Sequence, residues 1–398
     1  MKHLVQLLRS FQQDEEDKTQ IDRFVKLLSE RVIPEYVSLN EEGVRIENSS
    51  AVFPRAWGPI YEGLKETGVF RAFVPPEYGG IKASEEQLYA FMELFGYTCP
   101  SIGIMFVAQG RAVDMILAGD NDEQKATYLP RYAEGEVGAV AMTEPDAGSD
   151  TGAIQLSAKR SGAQYQLDGQ KWFISNAGLA STYAVVTNTG GVKSPRALSA
   201  FIVEKDHKGL SISDLPQKDG LRLLPTGRLL FENARVPEDN LIGSEGKGFR
   251  IALNVIDKGR IHVAGICCGL AYRVFYEVFD YSRKRIQFDH PLTTSQHISF
   301  TLADMYTQIN AARGLCFNAL RQINTPLYRS RSSQAKHFAT QMATNIAQTC
   351  QVISGGRGYL RGSPVSLLYA DARGMEYVEG TTNIQRMIIS SDLFRSYE

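Results

Sequence analysis

Apolar residues recur at helical spacing through most of the first third of the chain. The clearest run consists of Ile21, Phe24, Val25, Leu28 and Val32. Residues three and four positions apart share one face of a helix, and Pro34 marks the expected end of this one. The helical pattern spans residues 14–128, with a loop at 74–80 where prolines and glycines exclude regular structure. We therefore predict a mainly helical first region.

The pattern changes near residue 137. Short runs rich in β-branched and aromatic residues, at 165–167, 183–187, 198–203 and 228–231, are separated by clusters of Gly, Asn, Ser and Pro. This spacing is typical of a small antiparallel sheet domain. Long helical patterns return at 249–285, 296–322, 331–352 and 381–395. The predicted division is an N-terminal helical domain at 1–136, a middle β domain at 137–245 and a C-terminal helical bundle at 246–398.

Composition limits the partners. The 398 residues exceed one typical core, which agrees with two or three packed units. With 43 basic and 44 acidic residues the net charge is −1, so no global field attracts nucleic acid or an anionic membrane. No window approaches the roughly 20 apolar residues of a membrane span.

The five cysteines form no Cys-x-x-Cys pair. An odd count without such pairs predicts a reducing, cytoplasmic environment rather than a disulfide scaffold. Cys267 and Cys268 lie in a run of small residues at 264–271, which predicts close helix packing rather than thiol chemistry.

Familiar cofactor motifs are not evident. The glycines at 355–362 have the wrong spacing for a dinucleotide fingerprint and follow no βαβ pattern. The chain has no Gly-Lys-Ser/Thr loop, no His-Glu-x-x-His and no histidine spacing typical of metal ligands, so we predict no metal site.

Three segments carry candidate chemistry. Glu379, between Val378 and Gly380, is either a base whose basicity is raised by apolar neighbours or an ordinary solvated acid. Residues 142–149 offer hydroxyls and backbone amides for a polar ring or a phosphate, or else form an interdomain turn. The third segment is Lys171-Trp172-Phe173-Ile174-Ser175-Asn176.

Together, Thr143-Glu144-Pro145-Asp146-Ala147-Gly148-Ser149-Asp150, Phe173-Ile174-Ser175 and Tyr377-Val378-Glu379-Gly380-Thr381 resemble segments of the acyl-CoA dehydrogenase family of flavoproteins. The family carries TEPxAGSD, W-I-T/S and YEGT segments in this order, and the resemblance covers essentially the whole length. It implies a mainly α fold with a central β domain. The parts are an N-terminal helical domain, a middle β-barrel or sandwich and a C-terminal four-helix bundle.

The resemblance also implies FAD. The run Val140–Ser149, including Met142 and Thr143, would lie along the flavin, and Ser149 would also touch the CoA portion of the substrate. Phe173 and Ser175 would cover the flavin and hydrogen-bond its reactive edge, with Phe173 in place of the usual Trp. Thr381 and Asn383 would complete the flavin contacts of the C-terminal segment.

A further group resembles the family's contacts to a neighbouring subunit's flavin. Its members are Arg285, Phe288, Gln296, Gly355 and Gly356. They imply a homotetramer or homodimer. Asp289 replaces a family glycine, and Asp tolerates left-handed geometry better than most residues. Compared with the family's Q-x-x-G-G segment, this chain has one extra residue between Gln351 and Gly355. The flavin-binding role is therefore assigned to Gly355 and Gly356 rather than to Gln351.

At the active site the resemblance makes Glu379 the base, and Asp257, Arg260 and Gly380 substrate-binding residues. Asp257 and Arg260 alone could equally be an exposed i,i+3 salt bridge. Some relatives place the base at the position of Gly259, which cannot serve here. The implied reaction is α,β-dehydrogenation of an acyl thioester to the trans-2-enoyl thioester, with electron-transfer flavoprotein as electron acceptor.

Alternatives remain open from the sequence. An oxidase on the same fold would pass electrons to oxygen, and a non-catalytic flavin-binding interaction protein would bind FAD without turnover. Glu379 argues against a monooxygenase of the superfamily. The acyl carrier, CoA or acyl carrier protein, is undetermined. Phe106, Gln109 and Arg111 lie in the region that lines the family's acyl pocket, and Arg111 either meets a polar or carboxylated chain or forms a surface or buried salt bridge.

Overall fold

The computed structural model of the chain describes residues 1–10, 15–81 and 83–395. Its first region is helical, as predicted. The elements are α1 (Lys2–Arg9), α2 (Glu15–Leu27), α3 (Ile33–Glu42), the hairpin β1 (Arg45–Glu47) and β2 (Ser50–Val52), α4 (Trp57–Glu66), α5 (Glu85–Thr98), α6 (Pro100–Leu117) and α7 (Asp122–Ala133). Helix α1 precedes the predicted start at residue 14, which lies outside the described residues.

The expected helix end at Pro34 is wrong. A π-helical turn at Leu28–Val32 leads directly into α3, and Pro34 occupies the first turn of that helix. Val32 and Ile33 at the junction both have right-handed helical backbone, so the helix continues through the π-turn into α3. The π-turn directly before Pro34 takes up the missing amide and the ring of the proline, which would otherwise conflict with the preceding helical turn.

The middle region is a seven-stranded sheet. Its strands are β3 (Gly138–Ala141), β4 (Ser157–Ser161), β5 (Gln164–Ser175), β6 (Thr182–Asn188), β7 (Leu198–Glu204), β8 (Leu210–Asp214) and β9 (Thr226–Pro237). Their order is β3-β6-β4-β5-β9-β8, with β7 paired to β6. Strand β3 runs parallel to β6, whereas the β4–β5, β5–β9, β8–β9 and β6–β7 pairs are antiparallel.

The last region is a helical bundle. Its elements are α8 (Gly248–Lys284), the hairpin β10 (Ile286–Gln287) and β11 (His290–Pro291), α9 (Gln296–Leu320), α10 (Tyr328–Ser354), α11 (Gly356–Tyr359), α12 (Pro364–Met375) and α13 (Thr382–Arg395). Helix α10 packs against α8, α9, α12 and α13. The sequence missed α12. The final three residues of the predicted third domain lie outside the described residues.

Helix α8 is the central element of the fold. It runs for 37 residues and is, among the described residues, the one helix long and apolar enough to cross a membrane by length and composition. Within its apolar window, 89% of the residues are buried inside the protein. A Cβ on Gly96 of α5 would lie 2.0 Å from the Ile266 carbonyl oxygen, and one on Gly269 would lie 1.9 Å from the Glu93 carbonyl oxygen. The predicted close packing of the small-residue run is confirmed.

The three regions meet at Asp371 on α12. Its carboxylate accepts hydrogen bonds from the Tyr36 hydroxyl of α3 (2.8 Å) and from the Leu221 amide of the β8–β9 loop (2.6 Å). Burial raises the pKa of Asp371 to about 6, although these hydrogen bonds and Lys218 lower it. One buried carboxyl group thus joins all three regions.

Replacing Asp371 with Asn should stabilise the protein increasingly as pH rises. In the folded protein the pKa of Asp371 is raised from 3.8 to about 6, so the free energy of unfolding falls as pH rises between those two values. About one pH unit of that range lies above pH 5. The free energy of unfolding of Asp371→Asn, relative to that of the parent, should therefore increase by roughly 1 kcal/mol between pH 5 and pH 7.5. Unfolding midpoints at the two pH values measure it.

Asp304→Asn, an exposed change on α9, is the control and should show no such growth. An unchanged difference between Asp371→Asn and the parent at the two pH values would contradict the raised pKa.

Candidate active site

The turn between α12 and α13 holds Glu379 in an unusual backbone conformation. Glu379 has φ of 54° and Gly380 has φ of 85°, so two consecutive residues are left-handed. Such a conformation is costly for a residue with a side chain and persists only where its surroundings hold it. Gln385 donates to the carbonyls of Glu379 (3.1 Å) and Gly380 (3.0 Å), and the buried Lys336 ammonium donates to the Gly380 carbonyl (2.5 Å).

Glu379 is half-buried as a residue, but one oxygen of its carboxylate is fully enclosed. Its Oε2 is buried and has no hydrogen-bond partner within the described ranges. A Cβ built on Gly259 of α8 would lie 2.3 Å from Oε2, so the carboxylate occupies the space that a side chain would fill. The glycine is therefore required by the acid packed against it.

Electrostatics around Glu379 favour a strong base. Burial raises the pKa of Glu379 above its ordinary value of 4.5, against the lowering effect of Arg111, Arg260 and Lys336. Burial also lowers the pKa of Lys336 to about 8. Desolvation disfavours the charged form of both groups, so the carboxylate gains proton affinity.

Asp257 and Arg260 lie beside this carboxylate on α8. The Arg260 guanidinium is only 2% exposed and donates to Asp257 Oδ1, while its Nε has no partner among the described residues. The alternative of an exposed i,i+3 salt bridge does not describe this pair. Arg260 is instead a buried cation held near the base.

A second cluster is formed by the two candidate flavin segments. The Trp172 amide donates to the Thr143 carbonyl (2.8 Å). The Lys171 ammonium, with no exposed side-chain surface, donates to the Met142 carbonyl (2.8 Å) and to Glu144 Oε1 (2.8 Å). The structure therefore brings the Met142–Ser149 and Phe173–Ser175 segments together.

Glu144 fixes the same cluster from the other side. Its carboxylate accepts from the amides of Gln155 (2.7 Å) and Leu156 (2.9 Å) in addition to Lys171. Burial lowers the pKa of Lys171 to about 8, against the raising effect of Glu144. Sequence reasoning did not single out Lys171. The available signal was a lysine at an inward-facing position of a strand, which requires a buried acid.

Phe173 projects outward from an irregularity in β5. The β5–β9 register shifts between Lys171 and Ile174, and Phe173 in this bulge has φ of 57° and is 64% exposed. Bulges re-aim side chains, and a left-handed conformation is rare for an aromatic residue. The exposed ring, with Ser175 two residues away in the β5–β9 ladder, fits a planar cofactor ring that would cover it.

The remaining candidate residues lie elsewhere on the surface. Arg285, Phe288, Gln296, Gly355 and Gly356 are all exposed. No hydrogen bond or ion pair between described residues connects them to the two flavin segments. Within one chain the structure therefore forms two separate groups of candidate cofactor residues.

The hairpin that carries Phe288 shows why Asp289 is tolerated. Phe288 and Asp289 have φ of 51° and 65° and join β10 to β11. A two-residue hairpin turn with both φ values positive is the type that matches strand twist, and Asp adopts it readily. The turn leaves Phe288 96% exposed.

The other predicted positions are also located. Val140 and Met142 are half-buried, Ser149 and Asn383 are exposed, and the half-buried Thr381 hydroxyl accepts from the Ile384 amide (3.4 Å). Gln351 does not reach outward, because it donates to the Gly358 carbonyl (3.0 Å) at the end of α10.

The acyl-pocket candidates on α6 separate onto two faces. The centroid of the Phe106 ring lies 4.8 Å from that of Phe70 and 4.9 Å from that of Phe95. The Gln109 side chain accepts a hydrogen bond from the Gly138 amide (2.6 Å). Both lie in the packed interior near β3. Arg111 instead faces α8, where it donates to the Val255 carbonyl (2.8 Å).

Models of known protein domains match most of the chain. Models of the acyl-CoA dehydrogenase N-terminal, middle and C-terminal domains match residues 14–136, 139–234 and 246–394. The chain belongs to the acyl-CoA dehydrogenase family. Members of this family bind FAD and are oxidoreductases that act on CH–CH groups, so the fold, the cofactor and the enzyme class predicted from the sequence are confirmed.

Individual relatives are similar over nearly the whole chain. An acyl-CoA dehydrogenase of Bacillus subtilis is 38% identical over 337 residues, covering 84% of this chain and 89% of the relative. The butyryl-CoA dehydrogenase of Megasphaera elsdenii superposes with a TM-score of 0.88 at 28% identity, covering 96% and 99%. A chain from a structure described as the electron transferring flavoprotein of Acidaminococcus fermentans superposes with a TM-score of 0.89 at 31% identity. The superposition covers 97% of this chain and 99% of that one.

Replacing Lys171 with Met should weaken both folding and FAD retention. The change leaves the Glu144 carboxylate buried without its cation, which costs about 3 kcal/mol or more in comparable sites. The Met142 carbonyl also loses its donor, so the two flavin segments lose a direct link. Unfolding midpoints and the flavin-to-protein absorbance ratio measure the two effects.

The double variant Lys171→Met/Glu144→Gln should recover part of the stability, because no buried charge remains. Lys159→Met, on an exposed position of β4, is the matched control. Parental flavin content and stability in Lys171→Met would show that this ion pair does not hold the segments.

Proposed function

We propose that this enzyme dehydrogenates an acyl thioester, on CoA or on an acyl carrier protein, between C2 and C3 to give the trans-2-enoyl thioester. The observation that carries the proposal is the enclosed Glu379 carboxylate, whose Oε2 has no partner and rests against Gly259. A base of raised pKa with a buried, unpartnered oxygen suits removal of a weakly acidic α-proton. When bound, FAD supplies the acceptor for the β-hydride.

The backbone around Glu379 is suited to polarising the thioester carbonyl. Among the described residues, no backbone hydrogen bond originates from the Glu379 amide. An amide held by the left-handed turn and aimed at the substrate would stabilise negative charge on the carbonyl oxygen. In this proposal Glu379 therefore contributes its carboxylate to the α-proton and its amide to the carbonyl, while Arg260, Asp257 and Gly380 shape the wall beside the substrate.

The two separate groups of candidate cofactor residues suggest contacts to two different FAD molecules. Met142, Thr143, Phe173 and Ser175 would hold the flavin ring of their own chain, with Val140, Ser149, Thr381 and Asn383 around it. The exposed Arg285, Phe288, Gln296, Gly355 and Gly356 would meet a second chain's cofactor, which requires a homodimer or homotetramer. Sedimentation of the FAD-loaded protein as a monomer would contradict this arrangement.

Electron-transfer flavoprotein is the proposed electron acceptor, and the likeness to a chain in the Acidaminococcus structure supports it. Reoxidation by oxygen as fast as by an electron-transfer flavoprotein would point to an oxidase instead. The cytoplasmic location inferred from the cysteines stays a prediction.

Replacing Glu379 with Gln tests the proposed base. Gln keeps the volume of the side chain and removes its proton affinity, so FAD and thioester binding should persist. Flavin reduction should slow by roughly 10²–10⁴-fold, the usual effect of losing a general base. Anaerobic stopped-flow mixing with a thioester that bleaches the parent's flavin measures the rate, and near-parental reduction would mean that another group takes the proton.

Replacing Gly259 with Ala tests the position of the carboxylate. The added methyl group would lie 2.3 Å from Glu379 Oε2 and 2.6 Å from its Cδ, so the flexible end of Glu379 must move while the backbone stays in place. A displacement of about 1 Å can cost on the order of 100-fold in rate. We expect a folded, FAD-containing protein whose flavin reduction is slower by that order.

Gly314→Ala on α9 is the matched control, since a Cβ there meets nothing within 4 Å. It should stabilise the helix by about 1 kcal/mol without changing the reduction rate. Equal reduction rates for Gly259→Ala and the parent would contradict the placement of Glu379.

A further inference from the structure

Lys336 is a fully buried cation on α10, beside the turn that carries Glu379. Its relative exposure is 0%. Among the described residues no ion pair joins Lys336 to a carboxylate, whereas the equally buried Lys171 is paired with Glu144. A buried ammonium group without a paired anion is costly, because it loses its hydration and gains little in return. The burial of Lys336 therefore needs an explanation other than an ion pair.

The recorded acceptors of the Lys336 ammonium group are two main-chain carbonyls of this turn. Its Nζ lies 2.5 Å from the carbonyl oxygen of Gly380 and, in a longer contact, 3.5 Å from that of Glu376. Gly380 follows Glu379 directly in the left-handed segment, and Glu376 precedes Glu379 by three residues. The ammonium group thus connects the backbone before the proposed base to the backbone after it.

Helix α10 holds the start of the same turn through a second side chain. Thr344, about two turns after Lys336, donates to Glu376 Oε1 (3.2 Å), and Thr382 donates to Glu376 Oε2 (3.2 Å). Residues eight positions apart lie close to one face of a helix. One face of α10 therefore fastens the turn of Glu379 on both sides of the base.

Gln385 on α13 is a neutral counterpart of Lys336. Its side-chain amide donates to the carbonyls of Glu379 (3.1 Å) and Gly380 (3.0 Å). The Gly380 carbonyl accepts from both Lys336 and Gln385, so the loss of either side chain leaves this carbonyl with a donor. The two residues hold the same backbone, and they differ in charge.

The charge of Lys336 also acts on the Glu379 carboxylate. Burial raises the pKa of Glu379, whereas Arg111, Arg260 and Lys336 lower it. Burial lowers the pKa of Lys336 to about 8, whereas Cys267 and Glu379 raise it. Each of the two arginines has a carboxylate partner that offsets its charge. Lys336 has no such partner, so its charge acts on Glu379 without this offset.

The other titratable groups around this pair do not replace the charge of Lys336. Cys267 on α8 is neutral, because burial raises the pKa of its thiol. Glu376 raises the pKa of Lys336, and Asp114 on α6 raises the pKa of Glu379. Removal of the Lys336 ammonium group therefore leaves Glu379 with one cation fewer and with the same acids.

We propose that Lys336 is a positioning residue for the base: its ammonium group holds the turn through the Gly380 carbonyl, and its positive charge keeps the Glu379 carboxylate ionised. The inference rests on the proposed function for the role of Glu379 as base. With a neutral side chain of similar length at position 336, the turn is held less firmly and the carboxylate is protonated more readily.

Two matched substitutions to Met separate these effects in the FAD-loaded protein. Lys336→Met removes a hydrogen bond to the turn together with the charge, whereas Gln385→Met removes hydrogen bonds to the same turn and leaves the charge. Both should lower the limiting rate constant of flavin reduction, by roughly tenfold or more. Only Lys336→Met should move the midpoint of the pH–rate profile to higher pH, because loss of a nearby cation raises the pKa of Glu379. Anaerobic stopped-flow mixing with a thioester that bleaches the parent's flavin measures both quantities.

Unfolding of the FAD-loaded proteins without substrate gives a second measurement, which needs no turnover. Because the pKa of Glu379 is raised, the free energy of unfolding falls as pH rises from 4.5 towards that pKa. Glu379→Gln removes this fall, so its unfolding temperature relative to that of the parent should increase between pH 5 and pH 7.5, where Lys336 keeps most of its charge. The increase should be larger when both proteins carry Lys336→Met, and unchanged when both carry Gln385→Met.

Lys159→Met, on an exposed position of β4, is the control and should change neither measurement. A parental limiting rate in Lys336→Met, or the same profile midpoint in Lys336→Met and Gln385→Met, would overturn the inference. So would an equal effect of Glu379→Gln on the unfolding temperature with and without Lys336→Met. If no thioester bleaches the parent's flavin, the proposed dehydrogenation fails, and the unfolding temperatures still decide whether Lys336 acts on Glu379.

Discussion

The separation of the Glu379 carboxylate from water is the constraint on which the rest of the site depends. An ionised carboxylate loses much hydration when it is enclosed, and the cations nearby offset only part of that loss, so its pKa rises. The protein maintains this costly state through a left-handed turn fastened by Lys336 and Gln385 and through the vacancy at Gly259. The strained turn and the buried carboxylate lower the stability of the fold, and they raise the proton affinity of Glu379.

Helix α8 connects this constraint to the remainder of the fold. Its segment 255–260 contributes the Val255 carbonyl, the Gly259 surface and the Asp257–Arg260 pair to the site. Its small-residue segment, about one to three turns further on, packs backbone to backbone against α5. Because both segments belong to one continuous helix, the close α5–α8 contact fixes the wall against which the base lies. The Lys171–Glu144 pair performs the corresponding task for the flavin segments in the sheet.

The sequence predicted the elements that local pattern determines. The change from helical to strand patterns near residue 137, the long helices beginning at Gly248, Gln296 and Tyr328, and the burial of Cys267 and Cys268 follow from periodicity and residue size. Family resemblance added FAD and the enzyme class, and it assigned Glu379 the role of base. Helix α12 was missed, and the prediction at Pro34 was wrong because a π-helical turn lets the helix continue past the proline.

Contacts between distant parts of the chain could not be predicted. Lys336 reaches a carbonyl 44 positions away, and Tyr36 bonds to a carboxylate 335 positions away. No spacing rule connects such residues, since only the packed helices bring them together.

The pH dependence of flavin reduction shows whether the ionised Glu379 carboxylate takes the substrate's α-proton. With FAD bound and substrate thioester saturating, the anaerobic rate constant should rise with pH and level off above the pKa of Glu379, because the proton is removed only by the ionised carboxylate. We predict an apparent pKa above 4.5, the ordinary value for this carboxyl group. A rate constant that is independent of pH, or that follows the same profile in Glu379→Gln, would contradict the assignment of Glu379 as the enclosed base.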